Sequence, residues 1–159
     1  MTVWIDSREK AHAIKKILEY FDKNGIKWFV SKLPVGDYQS LDNSRLVIDR
    51  KQSLSELCNN VCQQHERFRA ELVRANEYGI KLIILCEHGG KIKCLQDVIS
   101  WENPRLKESP MAVSGERLYK ILSAMSSKYN VDFVFCTKQQ TGKKIIELLE
   151  KDTAREALK

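Results

Sequence analysis

The apolar run Leu82-Ile83-Ile84-Leu85-Cys86, inside the segment Lys81 to Glu87, limits the possible folds more than any other stretch of the chain. It has no polar face to offer water, so as a strand it must be covered on both sides, as central strands are in sheets sandwiched between helices. The rest of the chain supplies those helices. Thr2 to Asp6 reads as a first strand, and Arg8 to Asn24 carries Ile14, Ile17, Leu18 and Phe21 at helical spacing before the capping Gly25. Ile26 to Leu33 reads as a strand interrupted by Pro34, followed by two more strand-like runs, Leu33 to Leu41 and Arg45 to Lys51. Ser53 and Glu56 form a capping box for a long helix with Leu54, Leu57, Val61, Phe68, Leu72 and Ala75 inward, stopped by Gly79. Later come a short helix at Cys94 to Trp101, an irregular segment from Glu102 to Ser114, a helix capped by Ser114, a strand at Val131 to Cys136 and a helix from Thr141. The expectation is an α/β domain of three α/β/α layers with a mixed sheet of about six strands, the second to fourth forming a meander. Residues 1–151 are expected to form one domain and 152–159 a charged C-terminal tail.

Composition narrows the functional classes. Of 159 residues, 43% are hydrophobic and 30% charged, the balance of a folded globular protein. The net charge of +6 favours a polyanionic partner. No apolar run approaches 18 residues and no basic-then-apolar leader opens the chain, so neither a membrane span nor a signal peptide is expected. Five cysteines, an odd number without disulfide-type spacing, point to a reducing compartment. Cys58, Cys62 and His65 follow each other at helical steps, but structural zinc sites use closely spaced cysteine pairs on turns, so these thiols are expected to be buried and reduced, as are Cys86, Cys94 and Cys136. Gly89-Gly90 lacks the spacing of a phosphate loop. His12, His65 and His88 have no nucleophile partner at a useful spacing.

The chemistry concentrates in the stretch Gly36 to Lys51. Asp42-Asn43-Ser44 suits a tight turn between two strands. With the turn centred on Asn43, Asp37 and Asp49 face each other across the hairpin; a two-residue turn at Asp42-Asn43 would instead set Asp37 opposite Ile48. Opposed carboxylates are destabilising unless neutralised, and Mg2+ is a fitting partner because it binds through one or two carboxylates plus water and phosphate. Alternation along the strand places Val47, Asp49 and Lys51 on one side and Ile48 and Arg50 on the other. Lys51 thus projects beside Asp49, where an ammonium can hold a phosphate or orient water.

Gly36-Asp37-Tyr38 followed by Ile48-Asp49-Arg50-Lys51 resembles the G-D-x…E-R-K signature of the XPF (ERCC4-type) family of structure-specific DNA endonucleases, a branch of the PD-(D/E)xK nucleases. Ile5-Asp6-Ser7-Arg8-Glu9 resembles the D-x-R-E segment of the same family, and the resemblance covers most of the chain. Two positions depart from the pattern: Asp49 stands where the family has Glu, and Glu56 falls one position after the family's next acid, so Glu56 is given no catalytic role; Glu9 is read as helix-start chemistry in a first turn that favours negative charge. The resemblance implies a restriction-endonuclease-like fold and Mg2+- or Mn2+-dependent hydrolysis of DNA phosphodiesters. In that reading Asp37 and Asp49 hold the metal, Asp6 is a nearby acid acting directly or through water, Lys51 positions water and phosphate, and Arg8, Arg50 and Arg67 bind DNA phosphates. Gln63-Gln64 and Arg67 are similar to the Gln/Arg-bearing helix of related nucleases.

The same resemblance implies branched, flap or junction DNA as substrate, work in repair, recombination or replication, and a homodimer through the nuclease domain. It reaches only the nuclease part of relatives that often carry a helix-hairpin-helix module as well. A domain of this kind standing alone suits a cytoplasmic, nucleoid-associated protein of bacterial or phage origin. Two other classes stay open: a catalytically inactive DNA-binding scaffold, and another PD-(D/E)xK nuclease such as a junction resolvase.

Overall fold

The computed structural model describes residues 1–157, with side-chain surroundings through Lys151. Six strands form one sheet: β1 (Thr2–Asp6), β2 (Lys27–Ser31), β3 (Tyr38–Ser40), β4 (Asn43–Lys51), β5 (Lys81–Glu87) and β6 (Val131–Cys136). Their order is β2-β1-β3-β4-β5-β6. β5 lies between β4 and β6, parallel to both, which is why its sequence is apolar without alternation. Leu82, Ile84 and Cys86 enter one core and Ile83 and Leu85 the other. On the first face of the sheet pack α2 (Leu54–Cys62), α3 (His65–Glu77) and α4 (Gly115–Lys128); on the second pack α1 (Lys15–Lys23) and α5 (Thr141–Ala157). This is the three-layer α/β/α arrangement.

The expected meander of the second to fourth strands does not form. β2 pairs in parallel with β1, and β1 separates it from β3. Helix α1 connects β1 to its parallel neighbour as a crossover, and the chain then has to pass over the end of β1 to reach β3. Asp6 holds that crossing. Its Oδ1 accepts the Leu33 amide at 2.9 Å, and its own amide donates to the Asp37 carbonyl at 2.8 Å. Only β3 and β4 form a hairpin.

Two helix boundaries also differ from the periodicity. The segment 8–13 is a series of turns, so α1 is shorter than the apolar spacing suggests. The long helix after β4 breaks at Gln63-Gln64 into α2 and α3. Asn60 Nδ2 donates to the Glu56 carbonyl at 2.6 Å, the kind of side-chain bond that competes with the helical ladder. The break lets α3 turn a separate face toward β4. The segment from Glu102 to Ser114 contains a short 3-10 turn at Pro104–Lys107 and is cross-braced by Asn103, whose Nδ2 donates to the Val113 carbonyl at 2.9 Å. Five free cysteines are present; Cys94 is exposed rather than buried as expected, because it precedes its 3-10 helix at the surface. α5 carries the backbone through Ala157, inside the segment 152–159; residues 158–159 lie outside the described residues. Among the described residues no helix is long and apolar enough to cross a membrane.

A candidate active site at the carboxyl ends of the central strands

The hairpin closes with a two-residue loop, Leu41-Asp42, since Ser40 pairs with Asn43. That is tighter than a turn centred on Asn43. Yet Tyr38 pairs with Ile48, because a bulge in β4 takes up the surplus residues, and one step beyond that pair Asp37 meets Asp49. The opposition of the two acids thus arises by a different route from the one read in the sequence.

Asp49 is buried, and its Oδ2 receives no hydrogen bond; Lys51 Nζ lies 3.3 Å away as an ion pair without hydrogen-bond geometry. Asp37 is partly buried and accepts the Arg50 amide on Oδ2 at 2.8 Å. Burial, then the charge of Asp49 and a hydrogen bond to it, hold the Asp37 carboxyl well above the usual carboxylate range. Two facing carboxylates, one with a buried oxygen whose sole neutralising contact among the described residues is the Lys51 ion pair, are an environment a hard divalent cation relieves. Among the described residues, no three His, Cys, Asp or Glu side chains are grouped to hold a metal ion together. The acids that do face each other are Asp37 and Asp49, and one or two carboxylates completed by water and phosphate are the donor set that Mg2+ takes.

Lys51 sits behind Asp49, its Nζ 5.8 Å from the centre of the Phe68 ring and 3.4 Å from Asn60 Oδ1. Burial opposes its charge, but Asp49 and Glu71 outweigh burial and raise its pKa. It stays an ammonium at neutral pH. Asp6 is buried, with Oδ2 bound by Arg8 Nε at 2.7 Å and Oδ1 by the Leu33 amide. Arg8 is 60% exposed at its side chain and also donates to the Leu33 carbonyl at 3.2 Å, so it reaches the cleft with its guanidinium already oriented.

Arg50 lies elsewhere. Alternation sends its side chain to the second face, where Nε and Nη2 bind Glu9 at 2.9 and 2.8 Å and Nη1 binds Glu87 at 2.7 Å. Burial disfavours its charge, and the two carboxylates overcome that and raise its pKa. The structure places this residue, expected to bind phosphate, as a buried tie between the β1 end, β4 and β5. Glu9, to which the sequence assigned no catalytic role, is half of that tie. Ser53 caps α2 by accepting the Glu56 amide at 3.1 Å, but the expected capping box is not completed, because the Glu56 carboxylate accepts the Gln52 amide at 2.7 Å rather than that of Ser53.

An open cleft of about 460 Å³ is lined by Asp6, Arg8, Asp37, Asp49, Arg67 and, from the same helix as Arg67, Glu71 and Arg74. Arg67 is thus where the sequence reading places it. Arg74 lies with Arg67 on the arginine-bearing face of this helix that the sequence shows, and only Glu71 was missed, although the step of four from Arg67 puts it on the same face. Burial and the charge of Asp49 push the Glu71 carboxyl up to about 7, against Lys51 and the Gly36 amide, which favour its ionised form. Gly36 stands at φ +70, and a Cβ there would fall on Val47 Cγ1, so only glycine lets the chain approach β4 closely enough to aim Asp37.

The ERCC4 domain family model matches residues 5–149. No curated protein sequence matches the chain significantly. Among solved structures, XPF from Aeropyrum pernix is similar with a TM-score of 0.68 and 22% identity, over 99% of this chain and 67% of that one. XPF from Aeropyrum pernix in complex with DNA is similar with a TM-score of 0.67 and 21% identity, over 97% of this chain and 66% of that one. The chain spans about two thirds of the length of these structures, and the likeness shows a shared fold.

Proposed function

Because the chain belongs to the ERCC4 domain family, we propose that it is a DNA endonuclease acting through the Asp37–Asp49 pair with Mg2+ or Mn2+. The observation that carries this reading is the buried Asp49 Oδ2 without a hydrogen bond, facing Asp37 in a cleft walled by arginines. A cation bound there would supply Lewis-acid stabilisation of the phosphoryl transition state and acidify water for attack.

The protein's own groups do the rest. Asp37 is aimed by the Arg50 amide and by the tight Gly36 turn. Lys51, kept charged by Asp49 and Glu71, steadies a phosphate oxygen or the attacking water from behind Asp49. Arg8 and Arg67 bind phosphates along the cleft, and Arg guanidinium groups can do so with two hydrogen bonds at once. Asp6 is a supporting acid: each of its oxygens already takes one hydrogen bond, so it braces Arg8 and the 33–37 crossing while leaving only residual lone pairs for metal or water. We propose Arg50 as a positioning residue.

Branched, flap or junction DNA is the proposed substrate, with work in repair or recombination and a homodimer through the nuclease domain as further expectations of the family, and cytoplasmic, nucleoid-associated work is proposed beside them. The net charge of +6 supports a DNA partner, since phosphate contacts dominate such affinity. Cleavage of labelled duplex, flap, fork and single-stranded DNA, with Mg2+, Mn2+ or EDTA, tests the proposal beside Asp49→Asn. Metal-dependent cutting by the wild type, with the variant binding but not cutting, is the expected result; binding without cutting by both would favour an inactive scaffold.

A further inference from the structure

The helices on the first face of the sheet pack on β4, β5 and β6, and leave the same face of β1 and β2 open. There Trp4 pairs with Phe29 across the parallel strands, their rings stacked with centroids 5.8 Å apart and planes 23° from parallel. Trp4 Nε1 donates to the Ser31 carbonyl at 3.1 Å, which fixes the indole. Phe29 is 38% exposed. Tyr78, at the end of α3, is 64% exposed and lines with Trp4 a groove floored by Pro34 and Val35, and those two residues also wall the acidic cleft. The aromatic row lies two residues along β1 from Asp6, roughly 7 Å by strand geometry.

Its border is basic. Lys27, level with Thr2 on β2, shares the face of Phe29; Lys32 is exposed on the crossing loop; Arg74 reaches the Pro34 carbonyl at 3.4 Å where groove and cleft meet. Flat rings with few free hydrogen-bonding groups suit any base, and cations beside them suit a phosphate backbone, the combination that binds single strands without reading sequence. Gln39, next to Trp4 on the sheet, already spends its amide on the Ser44 carbonyl.

We propose that Trp4, Phe29 and Tyr78 form a base-stacking platform that receives an unpaired DNA segment adjoining the phosphate in the Asp37–Asp49 cleft. The placement of the scissile phosphate rests on the nuclease reading; the binding of an unpaired strand does not.

The test separates the two. In EDTA, the full chain is titrated with oligo-dT and with a blunt duplex of equal length, following anisotropy and tryptophan emission. Oligo-dT is expected to quench emission of the wild type, and Trp4→Phe to keep binding while losing that quench, which assigns the signal to Trp4 rather than Trp28 or Trp101. Phe29→Leu and Tyr78→Ala are expected to weaken oligo-dT binding about ten-fold while duplex affinity changes little. Quenching that persists in Trp4→Phe, or unchanged oligo-dT affinity in both other variants when their melting curves match the wild type, overturns the platform. So does a wild-type dimer in sedimentation that Phe29→Leu dissociates, because the face would then belong to a second copy. Metal-dependent nicking of a plasmid is scored alongside. Nicking without the Trp4 quench leaves the nuclease and removes the platform; the Trp4 quench without nicking leaves a single-strand site and removes the nuclease.

Discussion

The backbone amide of Arg50 donates a 2.8 Å hydrogen bond to Oδ2 of Asp37, while the Arg50 side chain leaves into the opposite layer to meet Glu9 and Glu87. One residue therefore aims an acid on one face and anchors the sheet on the other. This division separates catalysis from stability at the site and makes the two experimentally distinguishable.

Arg50→Met is expected to unfold the protein more easily by about 3–5 kcal/mol, since it strands two carboxylates in the interior. Urea denaturation measures this. If instead Arg50 bound phosphate, the variant would keep its stability and lose salt-dependent DNA affinity.

Arg67→Ala should do the reverse. Arg67 is exposed on the cleft wall, so its loss should leave stability within about 0.5 kcal/mol and lower the slope of log affinity against log salt by about one. DNA titrations at several salt concentrations read this out.

Asp49→Asn is expected to abolish cleavage and to remove the stabilisation that Mg2+ confers on the wild type. Binding to the folded state alone raises stability by mass action, so the melting temperature of the wild type should climb with Mg2+ concentration and that of the variant should not. An equal rise in both would place the cation elsewhere.

The acid groups of the cleft make metal-free stability depend on pH. Burial and Asp49 raise the folded Glu71 pKa from 4.5 to about 7, and a raised carboxyl pKa contributes stability that is full below about 4.5 and lost as pH rises through about 7. Asp37 acts in the same direction. Between pH 4.5 and 8 in EDTA, the wild type should lose on the order of 2 kcal/mol more stability than Glu71→Gln. Parallel stability curves for the two proteins would show Glu71 to be ionised normally.

Gly36→Ala should cost about 2 kcal/mol or more, combining the strain of φ +70 with the collision against Val47. Thermal melting checks the stability. Cleavage should fall with it, because Asp37 follows directly.

Much of this protein is written in local sequence. The uninterrupted apolar run of β5 dictates a strand covered on both sides, and alternation along β4 places Asp49 and Lys51 together with Arg50 opposite. Those are short-range properties of backbone geometry. Asp37 and Asp49 were legible as a pair because both belong to one hairpin. What lay beyond the sequence depended on contacts between distant segments. The insertion of β1 between β2 and β3 depends on pairing between distant segments, and it brings the Trp4–Phe29 row onto the cleft's side of the sheet. The helix breaks at Gln63-Gln64, and Glu71 and Arg74 of α3 line the cleft with the acids. The capture of Arg50 by Glu9 and Glu87 joins residues 41 and 37 positions apart, and only packing shows that this guanidinium is buried between two carboxylates.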